Sequence, residues 1–251
     1  MIAKGVDVSR WQGDIDWAKL AAEGVLWAGV RASAGNYYTD RTFEFNYDGA
    51  WDVGILPFPY HVVNPNNSVE SQLARYKSSL DGRVPVMTVV DAELAGTDIS
   101  ELIRRRRYCW FIRDGKRDRS LGSQWILYSN KNFMEAHMKT GYMGWVWNEN
   151  IPLWVASYGR NDALLPPTPP YPRLPFQYEE WLAWQYSDKG KLANGSGLDL
   201  NVMDQRFYNN LRIRSGLAEP GTDLVVVPPP DPSPVRPPDI TLLTPGLYRV
   251  E

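Results

Sequence analysis

Asp91 and Glu93 stand one residue apart at the end of the run Pro85-Val86-Met87-Thr88-Val89-Val90. That unbroken apolar run suits a strand covered on both faces, as in a parallel sheet. Side chains at i and i+2 point to the same side of a strand, so the two carboxylates should share one face at its end. Burying two like charges together is costly, and one of them should keep its proton to a higher pH than usual. A protonated acid beside an ionised one is what cleavage of a glycosidic bond requires. Two further acids extend the pattern. Asp7 ends the strand-like Ala3-Lys4-Gly5-Val6, and Asp199 sits in Gly197-Leu198-Asp199-Leu200-Asn201. Carboxylates at the ends of several strands are how a β/α barrel assembles a site at one face.

Those acids need a frame. Strand-like runs fall at Ala3–Val8, Trp27–Ala32, Ile55–Val62, Val84–Val90, Trp125–Tyr128, Leu153–Ser157, Trp181–Tyr186 and Leu198–Leu200. Helix-like runs over roughly Asp16–Glu23, Arg41–Val53, Ser68–Leu80 and Ile99–Arg113 alternate with them, which predicts an α/β fold. Eight strands would close an irregular, TIM-like (β/α) barrel. Asp98 with Glu101 three positions on reads as a capping-box start for the fourth helix. Pro57 and Pro59 lie inside the third strand, where each removes a ladder donor, so that strand should be distorted or begin late.

The bulk properties exclude several classes. At 251 residues and 43% hydrophobic, the chain can bury one large core. A net charge of −2 argues against nucleic acid as a partner. With Cys109 the only cysteine, no intrachain disulfide can form. Its neighbours Trp110-Phe111-Ile112 mark it as a packed thiol. His61 and His137 are too few for a multi-histidine zinc site, and no metal or organic cofactor is implied. No signal peptide of the usual form and no membrane-spanning stretch is evident, so synthesis in a cytosol without membrane insertion is expected.

Arg104-Arg105-Arg106-Arg107 resembles a binding patch, but four consecutive helical residues sweep about 300° of the surface, which favours ion pairs over one anion site. Pro166–Pro175 should form a stiff loop that could wall the cleft. A second proline-rich run, Val225–Pro238, reads as an extended spacer. The chain therefore divides into a barrel over 1–212, a linker over 213–238 that is proline-rich from about 225, and a docking or strap segment over 239–251.

Taken in order, these residues resemble glycoside hydrolase family 25, the Chalaropsis-type lysozymes common among bacteriophage endolysins. The resemblance spans about residues 3–207. It rests on Asp7-Val8-Ser9-Arg10-Trp11-Gln12-Gly13 with Ile15-Asp16-Trp17, on Tyr60-His61, and on Asp91-Ala92-Glu93. Tyr128-Ser129, Trp154-Val155-Ala156-Ser157-Tyr158, Trp184-Gln185-Tyr186-Ser187 and Leu198-Asp199-Leu200-Asn201 complete it.

The resemblance implies cleavage of the β-1,4 bond between N-acetylmuramic acid and N-acetylglucosamine in peptidoglycan. It implies Glu93 as general acid. Asp91 would stabilise the oxocarbenium-like centre or orient the substrate's acetamido group, and a covalent intermediate stays open beside the substrate-assisted route. Asp7 and Asp199 resemble floor residues that bind sugar and balance charge. Tyr60, Tyr128, Trp154, Tyr158 and Trp184 lie near predicted strand ends and are candidate sugar contacts. His61 could contact substrate or be a satisfied structural histidine. Where many relatives carry an acid within Lys/Arg-Ala-Ser/Thr-Glu-Gly, this chain has Arg31-Ala32-Ser33-Ala34-Gly35. The expected setting is a phage lysin, made in the host cytoplasm and reaching the wall after holin release or as part of the virion, its tail docking on virion or tail proteins. Two alternatives are a catalytically silent peptidoglycan-binding or structural phage protein on the same barrel, and a chitinase-like glycosidase.

Overall fold

A computed structural model of the protein describes residues 2–138, 151–164, 171–175 and 178–217, and the backbone of 240–244 and 247–250. Eight strands close a barrel: β1 (Ile2–Val8), β2 (Trp27–Ala34), β4 (Leu56–Val62), β5 (Met87–Asp91), β6 (Gln124–Asn130), β7 (Leu153–Ala156), β8 (Ala183–Lys191) and β9 (Gly197–Asp204). A two-residue strand, β3 (Tyr38–Thr39), hangs on β2. Within the barrel, neighbours from β1 through β8 pair in parallel, whereas β9 runs antiparallel to both β8 and β1. That eighth strand is longer than the sequence suggests. Its direction is the reason Asp199, near its beginning, reaches the same barrel mouth as Asp7 and Asp91, which lie towards the ends of their strands.

Alternation explains what fills the barrel. Ala3, Trp27, Leu56, Phe58, Met87, Val89, Ile126, Trp154, Ala183 and Met203 turn inward and pack together. Their neighbours Val6, Val30, Val90, Leu127 and Val155 turn outward beneath the helices. Both faces are apolar because both are covered. Trp27 meets Trp154 edge to face at 5.1 Å, and its Nε1–H donates to the Ala3 carbonyl at 3.1 Å. Glycines make room for these indoles. A Cβ on Gly29 would lie 2.6 Å from the Trp154 ring and 3.0 Å from the Asp7 Cβ. Gly29→Ala should therefore cost about 1–3 kcal/mol by overpacking. Urea melts of the wild type and the variant check it.

Helices α1 (Trp17–Ala22), α2 (Phe43–Asp52), α3 (Val69–Leu80), α4 (Glu101–Gly115) and α5 (Lys131–His137) connect the strands, and α6 (Gln205–Arg214) follows β9. Phe207, Tyr208 and Leu211 of α6 join the interior cluster at the end away from the mouth. Most helices begin at a short polar residue whose side chain accepts from the first turn. Asp16 accepts from Lys19 N at 2.9 Å, and Asp204 from Arg206 N and Phe207 N. The cap of α4 is a correction. Ser100, extended at φ −66° and ψ 152°, caps it through Ile103 N, whereas Asp98 lies at φ 54°, unsuited to an N-cap.

The two prolines of β4 are accommodated on one side. Leu56 N donates to Leu26 O, towards β2. Alternation then aims Pro57 and Pro59 towards β5, where pairing begins only at Tyr60. The arginine run disperses as geometry requires. Arg104 reaches the Ala95 carbonyl and His137, Arg105 pairs with Glu101, and Arg106 lies 5.8 Å over Trp110. Near the C-terminus, β10 (Ile240–Thr244) and β11 (Leu247–Val250) pair antiparallel. The proline-rich linker from 218 to 239 lies outside the described residues, as does most of the proline loop over 165–170.

Candidate active site

Register places the acids. Asp7 faces Asp199 across the β1–β9 pair, and Asp91 faces Tyr128 across β5–β6. Asp7, Asp91, Glu93 and Asp199 line one cavity of about 150 Å³ with Tyr60, Val89, Tyr128 and Trp154. Glu93 lies two residues past Asp91, beyond the end of β5, and rises to the lip of the cavity.

Asp7 is held at the centre. Its Oδ2 accepts from Gln185 Nε2 and from Asn201 Nδ2, both at 2.8 Å. Each donor is fixed in turn. Tyr128 and Tyr158 hydroxyls donate to Gln185 Oε1 at 2.9 and 2.7 Å, and Trp154 Nε1–H donates to Asn201 Oδ1 at 2.9 Å. Of the aromatic candidates, Tyr128, Trp154 and Tyr158 therefore orient this network as well as lining the cleft. Gln185 and Asn201, which hold Asp7 in place, are residues that the acid-and-aromatic criterion passes over. The parity of β9 contains the signal for Asn201, two residues from Asp199 on the same face.

Two candidates lie elsewhere. Trp184 is one residue out of phase: it points outward against Trp181 and Tyr186, and its Nε1–H donates to the Ser157 carbonyl at 2.7 Å. His61 is fully buried on the helix side of β4, stacked on Phe111 at 4.7 Å. Its Nε2–H donates to Gln72 Oε1 at 3.3 Å, leaving Nδ1 to accept from the Ser33 hydroxyl at 2.8 Å. Burial lowers its pKa to about 3, so it stays neutral and structural. Cys109 is likewise inert, its thiol pushed up to about 12 by burial.

The electrostatics separate the four acids. Burial, then the charges of Glu93 and Asp7, raise Asp91 well above the usual carboxylate range, and its Oδ1 is buried without a hydrogen-bond partner. Burial raises Asp7 against the hydrogen bonds from Asn201 and Gln185. Asp199 is pushed up to about 8 by burial and by Asp7, with which it shares a hydrogen bond. Glu93 is exposed along one edge, yet the cleft walls remove enough water to raise its carboxyl, helped by the charge of Asp7. Asn130 Nδ2 donates to Glu93 Oε1 at 3.2 Å while Asn130 Oδ1 caps α5 through Phe133 N, which fixes the acid relative to the barrel.

One cation moderates the cluster. Arg31 lowers Asp91 and is itself anchored by Asp40, with Nε to Oδ2 at 2.6 Å. Among the described residues no group of three or more His, Cys, Asp or Glu side chains is arranged to hold a metal ion.

The profile for glycosyl hydrolases family 25 matches residues 6–195. The chain belongs to that family. The chain is 27% identical to lysozyme M1 of Streptomyces globisporus over 205 residues, covering 77% of this chain and 65% of that one. The chain thus spans a little under two thirds of that relative's length. The crystal structure of a bacterial lysozyme from Streptomyces coelicolor shares this fold at a TM-score of 0.67 and 24% identity, over 86% of this chain and 98% of that one. The catalytic domain of endolysin ply40 from bacteriophage P40 of Listeria monocytogenes does so at 0.61 and 21%, over 84% and 98%.

Proposed function

We propose that this family 25 chain is an N-acetylmuramidase, hydrolysing the β-1,4 bond between N-acetylmuramic acid and N-acetylglucosamine of peptidoglycan. The observation that carries the reading is the division of labour in the cavity. A single acid at the lip, Glu93, faces solvent, while Asp7, Asp91 and Asp199 form an acidic floor that holds protons as well as charge. Glu93 keeps its proton and gives it to the bridging oxygen as the bond breaks. Positive charge then develops at the anomeric carbon, over the floor carboxylates and away from bulk water. Water adds its hydroxyl to that carbon, and its proton restores Glu93.

Reducing ends released from purified peptidoglycan test the bond. Mass spectrometry should find N-acetylmuramic acid at every new end. N-acetylglucosamine ends would overturn the assignment, and chitin cleavage at a comparable rate would favour a chitinase. A role in phage lysis is part of the proposal, supported by the fold shared with a phage endolysin's catalytic domain. Its site of action would be the cell wall, after holin release or from the virion. Immunodetection in purified virions and in lysates separates these routes, and absence from both would sink the phage role. No helix among the described residues is long and apolar enough to cross a membrane.

A further inference from the structure

A second cavity, of about 380 Å³, opens on the other side of Glu93. Its described lining is Asn130, Lys131, Asn132, Ser157, Tyr158 and Arg173, with Ala156 below. The contrast with the first cavity is one of charge. The first gathers three carboxylates besides Glu93; the second has no acid except Glu93 and carries two cations. A proton donor must lie between the two halves of its substrate. The acid-lined cavity suits the sugar that becomes positive, so the second cavity suits the half that leaves.

Arg173 is the feature built for recognition there. It lies in Pro172-Arg173-Leu174-Pro175, whose two prolines are buried. The backbone is pinned on both sides of the arginine. Arg173 N donates to Ser157 Oγ at 3.3 Å, and Lys131 Nζ donates to the Leu174 carbonyl at 3.0 Å. Leu174 packs on the outer core. Lys131 is neutralised by Glu135, whereas the guanidinium of Arg173 is exposed and has no hydrogen bond or ion pair among the described residues. A fixed backbone presenting a free guanidinium at a cleft is arranged to take a planar anion in two parallel hydrogen bonds.

Resting on the muramidase reading, we propose that the second cavity is the leaving-group subsite and that Arg173 binds a carboxylate of the peptide stem carried by the leaving half of the glycan. The enzyme then distinguishes walls by the carboxylates on their stems, and not by the sugar chain alone.

The test compares walls that differ only in those carboxylates. Peptidoglycan freed of phosphate polymers is used as such, or after its stem carboxylates are converted to carboxamides. Arg173→Ala should lower kcat/KM about tenfold on the untreated wall, mainly through KM. Amidation should lower the wild type by the same factor and leave Arg173→Ala unchanged. Arg173→Lys should fall between. Binding of Glu93→Gln and of the Glu93→Gln, Arg173→Ala pair to both walls gives the same comparison without turnover. Equal loss on both walls, or a wild type indifferent to amidation, overturns the proposal. An Arg173 effect confined to walls that retain their phosphate polymers would assign the anion to phosphate and overturn the carboxylate. A wild type that cleaves neither wall sinks the muramidase reading and this one with it, whereas cleavage of both with no Arg173 effect sinks this one alone.

Discussion

Glu93→Gln should lower kcat on peptidoglycan by about 10²- to 10⁴-fold, the range over which a positioned general acid contributes. That corresponds to about 3–5 kcal/mol of transition-state stabilisation. The amide keeps the shape and the contact with Asn130, so binding should persist while proton donation is lost. A diagnostic split follows. A substrate whose leaving group departs without a proton, such as a glycosyl fluoride, should lose far less to Glu93→Gln than peptidoglycan does, the residual loss reflecting the water proton that Glu93 also takes. Asp91→Asn should not be rescued in this way, because Asp91 lies on the cavity floor facing the carbon and not the leaving oxygen. Equal losses on both substrates by Glu93→Gln would assign Glu93 to another role. Asn130→Ala should show a weaker form of the same split, since Asn130 only positions the acid.

The strands, the acids and the inward tyrosines were legible because each depends on local pattern. Period-two alternation in Val84–Val90 places Asp91 and Glu93 together, and the same rule applied to Asp199 would have reached Asn201. What was not legible depends on partners distant in the chain. Trp184 and Gln185 are adjacent, and choosing the one that faces the cleft requires the β8–β9 register, in which Gln185 lies opposite Asn201. Aromatic identity favoured the wrong neighbour. His61 follows Tyr60 directly and so must face the other way. Its partners Ser33 and Gln72 come from β2 and α3, which no local motif reveals. The direction of β9 is likewise a property of the closed barrel. The pinned loop around Arg173 depends on Ser157 and Lys131, and composition alone shows only its stiffness.

Asp199→Asn should make the protein more stable than the wild type at pH 7 to 8, and the advantage should vanish as the pH falls towards 4. The argument is one of linkage. The Asp199 carboxyl titrates near 8 in the folded chain, against an ordinary value of 3.8. Between those values the folded state holds a proton that the unfolded state releases, so unfolding is increasingly favoured as pH rises through that window. Asparagine removes the titration. It also keeps a donor facing Asp7, where protonated Asp199 shares a hydrogen bond. Other carboxylates work in the opposite sense. Asp118 is held near 2 by Lys77 and Ser120, and Asp40, whose burial is outweighed by hydrogen bonds from Thr42, Arg31 and Arg10, also titrates low. Their stabilisation is present above the ordinary carboxylate range and is lost as pH falls, in both proteins alike, so the difference between mutant and wild type reports on Asp199 and the acids coupled to it. A gain of about 1–2 kcal/mol would raise the melting temperature by roughly 2–8 °C. Calorimetry of both proteins from pH 4 to 8 measures it, with wall hydrolysis alongside. Lower activity in a more stable protein is the expected pairing, because the crowded acids that cost stability at neutral pH are those that face the breaking bond. A mutant less stable than the wild type at pH 7.5 would show that the Asp7–Asp199 pair supports the fold, and the strained-site account would fail.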